Sequence, residues 1–247
     1  MKVPRALILL GGLNTITICA AQHDTLLLAF DEHFVLGDAG EDPLPELGVY
    51  EAFNPRTGGD SLRTCGAFPC SGWVEDRYSS GQLKHKGYYN EGQLVSYKNF
   101  HPGGMVEREF KELDAVRCLM RTWHANGNLR SETRYADGLV QSYLDHYITG
   151  QLRYVEERHR KEPCFTKLEL YAADGKPISL LRLVDKGRLE VEQQEFHPGG
   201  ALRAKGLARY NRARMDTQRV GTWIYFDAAG AKVREEDYID GKMHAVR

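Results

Sequence analysis

The stretch Asn126-Gly127-Asn128-Leu129-Arg130-Ser131-Glu132-Thr133-Arg134-Tyr135-Ala136-Asp137-Gly138 decides the fold of this chain. It opens on one glycine turn and closes on another, with a strand's length of residues between. Asp-Gly at the end of an alternating segment is a hairpin turn, because glycine accepts the positive φ that such turns require. The first of these signals recurs along the chain. Seven segments align on Gly81, Gly104, Gly127, Gly150, Gly175, Gly200 and Gly230, with spacings of 23, 23, 23, 25, 25 and 30 residues. Regularity of this kind is the signature of a repeat architecture.

The surroundings of the glycines repeat as well. Four residues before the glycine stand Phe100, Trp123, Tyr171, Phe196 and Phe226, and the other two units have Tyr78 and Tyr147 one position later. Two residues after it stand Leu83, Val106, Leu129, Leu152 and Leu202, a column broken by Pro177 and Lys232. A second turn follows in Tyr89-Asn90-Glu91-Gly92, Tyr135-Ala136-Asp137-Gly138 and Tyr238-Ile239-Asp240-Gly241. Between turns, Val116-Arg117-Cys118-Leu119-Met120 and Arg188-Leu189-Glu190-Val191-Glu192 alternate with a period of two, which is the period of a strand. Connections this short permit only antiparallel neighbours. The expected fold is therefore all-β: an elongated single-layer antiparallel meander of about seven β-hairpin repeats, with a period near 23 and about 14 strands, over residues 72–247. Each unit is too small to fold alone and is stabilised by its neighbours. Arg158-His159-Arg160-Lys161 has poor turn chemistry and reads as a weak link, and residues 211–220 of the longest unit read as a bulging loop.

Outside the repeats the chain changes character. Lys2 and Arg5, an apolar run from Ala6 to Ile18, and the small residues Cys19-Ala20-Ala21 have the three-part layout of a secretory signal, so residues 1–21 are expected to be removed after Ala21. Ile16-Thr17-Ile18-Cys19 resembles a lipobox with a bulky residue where a small one is usual, and membrane contact is expected only if Cys19 is lipidated. Residues 22–71 form an irregular N-terminal segment. In it, residues 25–30 and 34–36 read as strands, residues 40–47 as a linker with Pro43 and Pro45, and Gly58-Gly59 as the trace of one degenerate repeat. The expected location is the periplasm or cell envelope, lipid-anchored or secreted.

Composition narrows the role. With 33 Lys and Arg against 34 Asp and Glu, the chain lacks the cationic surplus that a phosphate-binding surface needs, and no nucleic acid is expected as a partner. Cys65 and Cys70 enclose Gly-Ala-Phe-Pro and can close a local disulfide in an oxidising compartment. Cys118 and Cys164 are two periods apart, four strands or about 19 Å, beyond disulfide reach, and are expected as two separate thiols.

Catalytic chemistry does not assemble. His101, His124 and His197 share one repeat position, but neighbouring copies lie near 9.6 Å apart, too far to share a zinc ion, so they read as turn residues at a rim. No phosphate loop or serine elbow is present, and neither thiol has a paired histidine. No catalytic residue, metal or cofactor is expected, and the chain is read as no enzyme. The aromatic columns remain. Tyr89, Trp123, Tyr135, Tyr143, Tyr171, Trp223 and Tyr225 are the candidate partner-binding residues, since Tyr and Trp combine apolar area with a polar atom; cross-strand packing is the competing use of the same columns.

The stretch from Asn126 to Gly138, and Gly221-Thr222-Trp223-Ile224-Tyr225-Phe226 leading to Gly230, resemble the bacterial MORN-repeat variant, of the kind labelled YwqK-type antitoxin-like repeat proteins. The resemblance spans roughly residues 72–247 and implies a hairpin-built sheet. The unit around Gly150 departs from it by lacking the second Gly turn, and the unit after Gly175 has Pro177 where leucine belongs. The functional expectation is a non-enzymatic exported module that binds or scaffolds a protein; the alternative, implied by the resemblance, is an antitoxin or immunity-like protein that covers a toxin.

Overall fold

The computed structural model describes residues 44–247. The leader expected at residues 1–21, the strands expected at 25–30 and 34–36, and the start of the linker at Gly40 lie outside the described residues.

Two short strands, β1 (Thr64–Cys65) and β2 (Phe68–Pro69), form a separate hairpin closed by a Cys65–Cys70 disulfide. The main sheet opens with β3 (Gly72–Arg77), β4 (Leu83–Asn90), β5 (Gln93–Phe100), β6 (Val106–Glu112) and β7 (Arg117–Trp123). It continues through β8 (Leu129–Ala136), β9 (Leu139–His146), β10 (Leu152–Arg158), β11 (Phe165–Tyr171) and β12 (Pro177–Asp185). It ends with β13 (Glu190–Phe196), β14 (Leu202–Asn211), β15 (Asp216–Phe226), β16 (Lys232–Ile239) and β17 (Lys242–Val246). All 15 strands are antiparallel and pair in strict chain order, one strand more than the period suggests. At about 4.8 Å per step, the sheet is roughly 67 Å across.

The seven aligned glycines close one kind of turn. At Gly127 the φ is +86°, its N–H donates to His124 O at 2.8 Å, and His124 N donates to Asn128 O at 2.9 Å. This is a type I turn completed by a left-handed residue, and it leaves a bulge in the ladder between Thr122 and Trp123. The second kind is tighter. Asp137 and Gly138 both have positive φ, 51° and 75°, as a two-residue type I′ loop demands. Units without Asp-Gly tie the turn with a side chain. Asp114, Asp185 and Asn211 each accept two backbone N–H bonds through one oxygen. His159 does the same at the expected weak link, where its Nδ1 accepts from Lys161 N and Glu162 N. The longest unit has no bulging loop: its extra residues lengthen β14 and β15 to 10 and 11 residues around an Asn211-capped turn.

Side chains alternate between two faces. One row crosses the sheet strand by strand through Gly87, Tyr97, Phe110, Met120, Thr133, Tyr143, Glu156, Leu168, Leu181, Gln193 and Gly206. The expected linker and degenerate repeat are instead a cap on this face. Pro45 sits in the first turn of a short helix, α1 (Pro45–Gly48), where its missing N–H costs nothing, and two 3-10 turns follow at Val49–Phe53 and Pro55–Thr57. Gly58, with φ +92°, ends the second of these rather than joining two sheet strands, and a Cβ at Gly59 would lie 2.3 Å from Glu51 O. Leu47, Tyr50, Cys70, Tyr89, Leu94, Tyr97, Phe110 and Cys118 form the main core between cap and sheet. A second cluster, centred on Tyr154, Leu168, Leu170 and Leu181, lies on the same face further along, and Cys164, Leu189 and Tyr210 form a small third one. Cys118 and Cys164 are separate buried thiols.

Candidate binding face

The cap is held by a closed polar network. The Tyr50 ring stacks on His85, with centroids 3.7 Å apart and planes within 4°, and its hydroxyl donates to Asp76 Oδ2 at 2.8 Å. Asp76 also receives both Arg63 nitrogens, at 2.7 and 2.9 Å, and Arg63 Nη1 donates to Tyr89 OH at 3.0 Å. Asn99 Oδ1 can only accept, so His85 Nδ1 donates to it at 2.7 Å, and His85 Nε2 is left to accept from Tyr89 OH at 3.0 Å. The Asn99 amide nitrogen reaches Leu47 O in the cap at 3.4 Å. Burial pulls His85 from its usual range down to about 4, which keeps the ring neutral and the network intact at neutral pH. Burial would raise Asp76, but the hydrogen bonds from Arg63 and Tyr50 outweigh it and hold the carboxyl below its ordinary value.

Where the cap ends, the face opens into a cleft of about 560 Å³. Leu44 forms its wall on the cap side. Met105 and Trp123 supply apolar lining from the turn rim, and Glu107, Arg108, Arg130 and Tyr143 line the sheet side. Arg108 pairs with Glu51 of the cap and lies 3.4 Å from Glu107 Oε1. Glu107 is only 6% exposed, and burial pushes its carboxyl up to about 7 against the opposing pull of Arg130. Its Oε2, and Arg108 Nε beside it, have no hydrogen-bond partner among the described residues. Burial lowers Arg108 as well.

Of the seven aromatic candidates, only Trp123 and Tyr143 line this cleft. Tyr89 is fully buried in the cap network, and Tyr135 packs against the same core. Trp223 is fully buried too: it lies flat over Gly206, where a Cβ would come within 2.5 Å of the ring, and donates to Leu207 O at 2.9 Å. Tyr225 accepts from Arg219 at 2.9 Å, under the Arg234 guanidinium at 4.2 Å. Tyr171 shares its side of β11 with Glu169, to which its hydroxyl donates at 2.8 Å, and so faces away from the row. The seven do not make one continuous platform, because bulges and burial divide them.

Glu107, Arg108 and Arg130 are the cleft residues that period-two reading misses. Glu107 and Arg108 are adjacent and should point to opposite faces, but the register shift at Asn99/Phe100 leaves Glu107 between two ladder pairs, and both line the cleft. The signal for this in the sequence is the glycine turn at Gly104, which brings the bulge with it.

The rim histidines form a ladder rather than a metal site. His101 Nε2 lies 3.5 Å from Trp123 O, His124 Nε2 3.1 Å from His146 O, and His197 Nε2 3.0 Å from Phe226 O. Tyr78 and Tyr147 occupy the same turn position and donate to Phe100 O at 2.6 Å and Tyr171 O at 2.9 Å. Each turn is thus bonded to the carbonyl that leads into the next turn, except at Ala172, whose methyl has nothing to donate. No group of three or more His, Cys, Asp or Glu side chains suited to a metal is found among the described residues, and no helix among them is long and apolar enough to cross a membrane.

Residues 119–143, from β7 through the Asn126–Gly138 stretch into β9, match the family model of the MORN repeat variant, and this is a MORN-repeat protein. No curated protein sequence matches the chain. Among solved structures, a TarM mutant from S. aureus in complex with fondaparinux, alpha-GlcNAc-glycerol and UDP aligns at 9% identity and a TM-score of 0.24, over 66% of this chain and 26% of that one. TarM itself aligns at 9% identity and 0.19, over 75% and 25%. TcdB2-TccC3-Cdc42 aligns at 10% identity and 0.22, over 70% and 14%. The chain spans about a quarter or less of the length of these proteins, and at such scores the likeness bears on neither fold nor function.

Proposed function

We propose that this chain is a non-enzymatic, exported module that binds a protein partner on the capped face of its sheet. One observation carries the reading: the chain already docks a polypeptide segment there. Leu47 and Tyr50 are buried against the sheet, Tyr50 stacks on His85, and Glu51, Arg56 and Glu46 pair with Arg108, Glu112 and Lys84. A surface that holds backbone turns, aromatic rings and carboxylates from its own chain has the chemistry to hold them from another, and it continues uncovered past Leu44. Export is supported by the basic and apolar start of the sequence and by the Cys65–Cys70 disulfide, which suits an oxidising compartment.

The test is site-specific photo-crosslinking in envelope extract. A crosslinker at Tyr143 is expected to capture a protein that one at Lys86, on the opposite face, does not. Capture from Lys86 alone, or a saturable hydrolytic activity abolished by a single substitution, overturns the reading. Sequencing the mature N-terminus tests export: Gln22 or a modified Cys19 is expected, and an intact Met1 counts against it. An antitoxin or immunity role would use the same binding step; it requires rescue of cells that co-express a neighbouring gene's toxic product, and failure of rescue removes it.

A further inference from the structure

We propose that the cleft between Leu44 and Tyr143 takes a short acidic segment of a partner protein that also carries an aromatic or large aliphatic side chain, laid beside the chain's own cap as its continuation. This rests on the reading that the capped face binds protein, and it adds where and what.

The cap shows what this face accepts. Two of its acidic residues pair with bases of the sheet, Glu46 with Lys84 at 3.4 Å and Glu51 with Arg108, while Leu47, Tyr50 and Phe53 supply the apolar contacts. The cleft next to it repeats that division. Leu44, Met105 and Trp123 make an apolar side, and Arg108 and Arg130 stand opposite with Glu107 between them. Two guanidinium groups against one carboxyl, itself held largely protonated by burial near neutral pH, leave the polar side cationic. A basic segment is repelled there and an acidic one is attracted.

The buried polar atoms point the same way. Glu107 lines the cleft, is 6% exposed and has an unpartnered Oε2, and the adjacent Arg108 Nε is an unpartnered donor. Unmatched groups of this kind are costly in a folded protein. One incoming carboxylate answers both, accepting from the guanidinium and from the protonated Glu107. The volume, about 560 Å³, lies within the range of ligand-sized clefts. Met105, 48% exposed at the rim, supplies an unpaired apolar contact for the ring or aliphatic chain of the segment.

The experiment pans short random peptides displayed on phage against the full chain and measures the selected peptides by fluorescence polarisation. Peptides that place Asp or Glu near Phe, Tyr, Trp or Leu are expected to be enriched, and their affinity is expected to fall with salt. Met105 is an exposed rim residue, so it can be charged without emptying the core. Met105→Glu is expected to weaken binding about tenfold and Met105→Lys to tighten it a few-fold, as one added charge at a rim does. Lys161→Glu, at the opposite rim, is expected to change nothing. Enrichment of neutral or basic peptides, no enrichment at all, or acidic peptides indifferent to both Met105 variants overturns the inference. In those cases crosslinks elsewhere on the capped face leave the reading of that face standing, whereas crosslinks confined to the opposite face remove both.

Discussion

From β3 to β6 the capped face is roofed by chain; from β10 onward the same row of positions has no second layer of described residues. Both regions nevertheless bury large side chains completely: Tyr89, Leu94 and Phe110 at one end, Trp223 at the other. The capped end does it with a second layer. The bare end does it within the sheet, by laying one residue over the missing side chain of another. Gly206 leaves the space, Trp223 fills it, and the Arg219 guanidinium covers the indole at 4.0 Å. Arg158 over Phe165 at 5.0 Å and Arg234 over Tyr225 at 4.2 Å repeat the device. A one-layer sheet can thus use long charged side chains as its roof. Contacts in such a fold are local, so the two ends should fail independently.

The strongest way to break the comparison is Trp223→Ala. Removing a fully buried aromatic side chain typically costs about 3–5 kcal/mol. Amides of β14 to β16 should exchange faster, while those of the cap and of β3 to β6 keep their protection. Equal loss of protection at both ends would show that the sheet is one cooperative unit.

Acidity separates the ends next. His85 has a folded value near 4 against an ordinary 6.5, so the unfolded chain binds the proton first, and this group's contribution is lost as pH falls from 6.5 towards 4. Glu107 has a folded value near 7 against 4.5, so the folded chain binds the proton first, and its contribution is lost as pH rises from 4.5 to 7. The two slopes oppose each other between 4.5 and 6.5, and docking of the cap should be nearly independent of pH there. Glu107→Gln removes one slope. In that variant the cap should loosen as pH falls from 6.5 to 4, by up to about 3 kcal/mol, as read from exchange of cap amides. A flat profile in the variant would mean that His85 does not hold the cap.

The disulfide gives a smaller, purely capped-end effect. The loop it closes is tied to the sheet at one turn: Arg63 N donates to Gly92 O at 2.9 Å and Gly92 N to Cys70 O at 2.8 Å. Loop entropy for so short a ring is worth about 2 kcal/mol. Replacing Cys65 and Cys70 with Ser should therefore release the cap at lower denaturant than in the parent, with no change in β10 to β17. A change that spreads to the far strands would contradict the locality on which the comparison depends.

The two regions were also unequally legible in the sequence. The sheet was readable because its turns place chemical demands on single residues: Gly127 must adopt a positive φ, and Asp137-Gly138 must adopt two in succession. The cap was not, because residues 44–57 take their form from what they dock on; Tyr50 and Leu47 show no period, and Pro45 reads as well for a linker as for a helix start. The site was half readable. Aromatic columns found Trp123 and Tyr143, but a glycine turn and its bulge shift the face of neighbouring residues, which hid Glu107 beside Arg108 and placed Tyr171 on the wrong side. Burial of Trp223 depended on Gly206, a contact between strands that no single column displays.

The smallest effect tests the rim. Each turn from Tyr78 to Tyr147 passes a side-chain bond to the next unit, and His197 does so again near the far end, so the ladder is interrupted at Ala172. The backbone there is the same as elsewhere: Gly175 N donates to Ala172 O at 2.8 Å and Ala172 N to Lys176 O at 2.9 Å. Only the side chain is missing, and the carbonyl that it would reach, by analogy with its neighbours, is that of Phe196. Ala172→His should therefore restore the link without rebuilding the turn. A net gain of about 0.5–1.5 kcal/mol is expected for one such bond, seen as added protection at β11 to β14, where the sheet has no cap to steady it. The converse change, His124→Ala, should cost a similar amount beside the cleft. If Ala172→His is neutral while His124→Ala is costly, then the ring of His124 stabilises through its burial, at 4% exposure, and not through the carbonyl it meets.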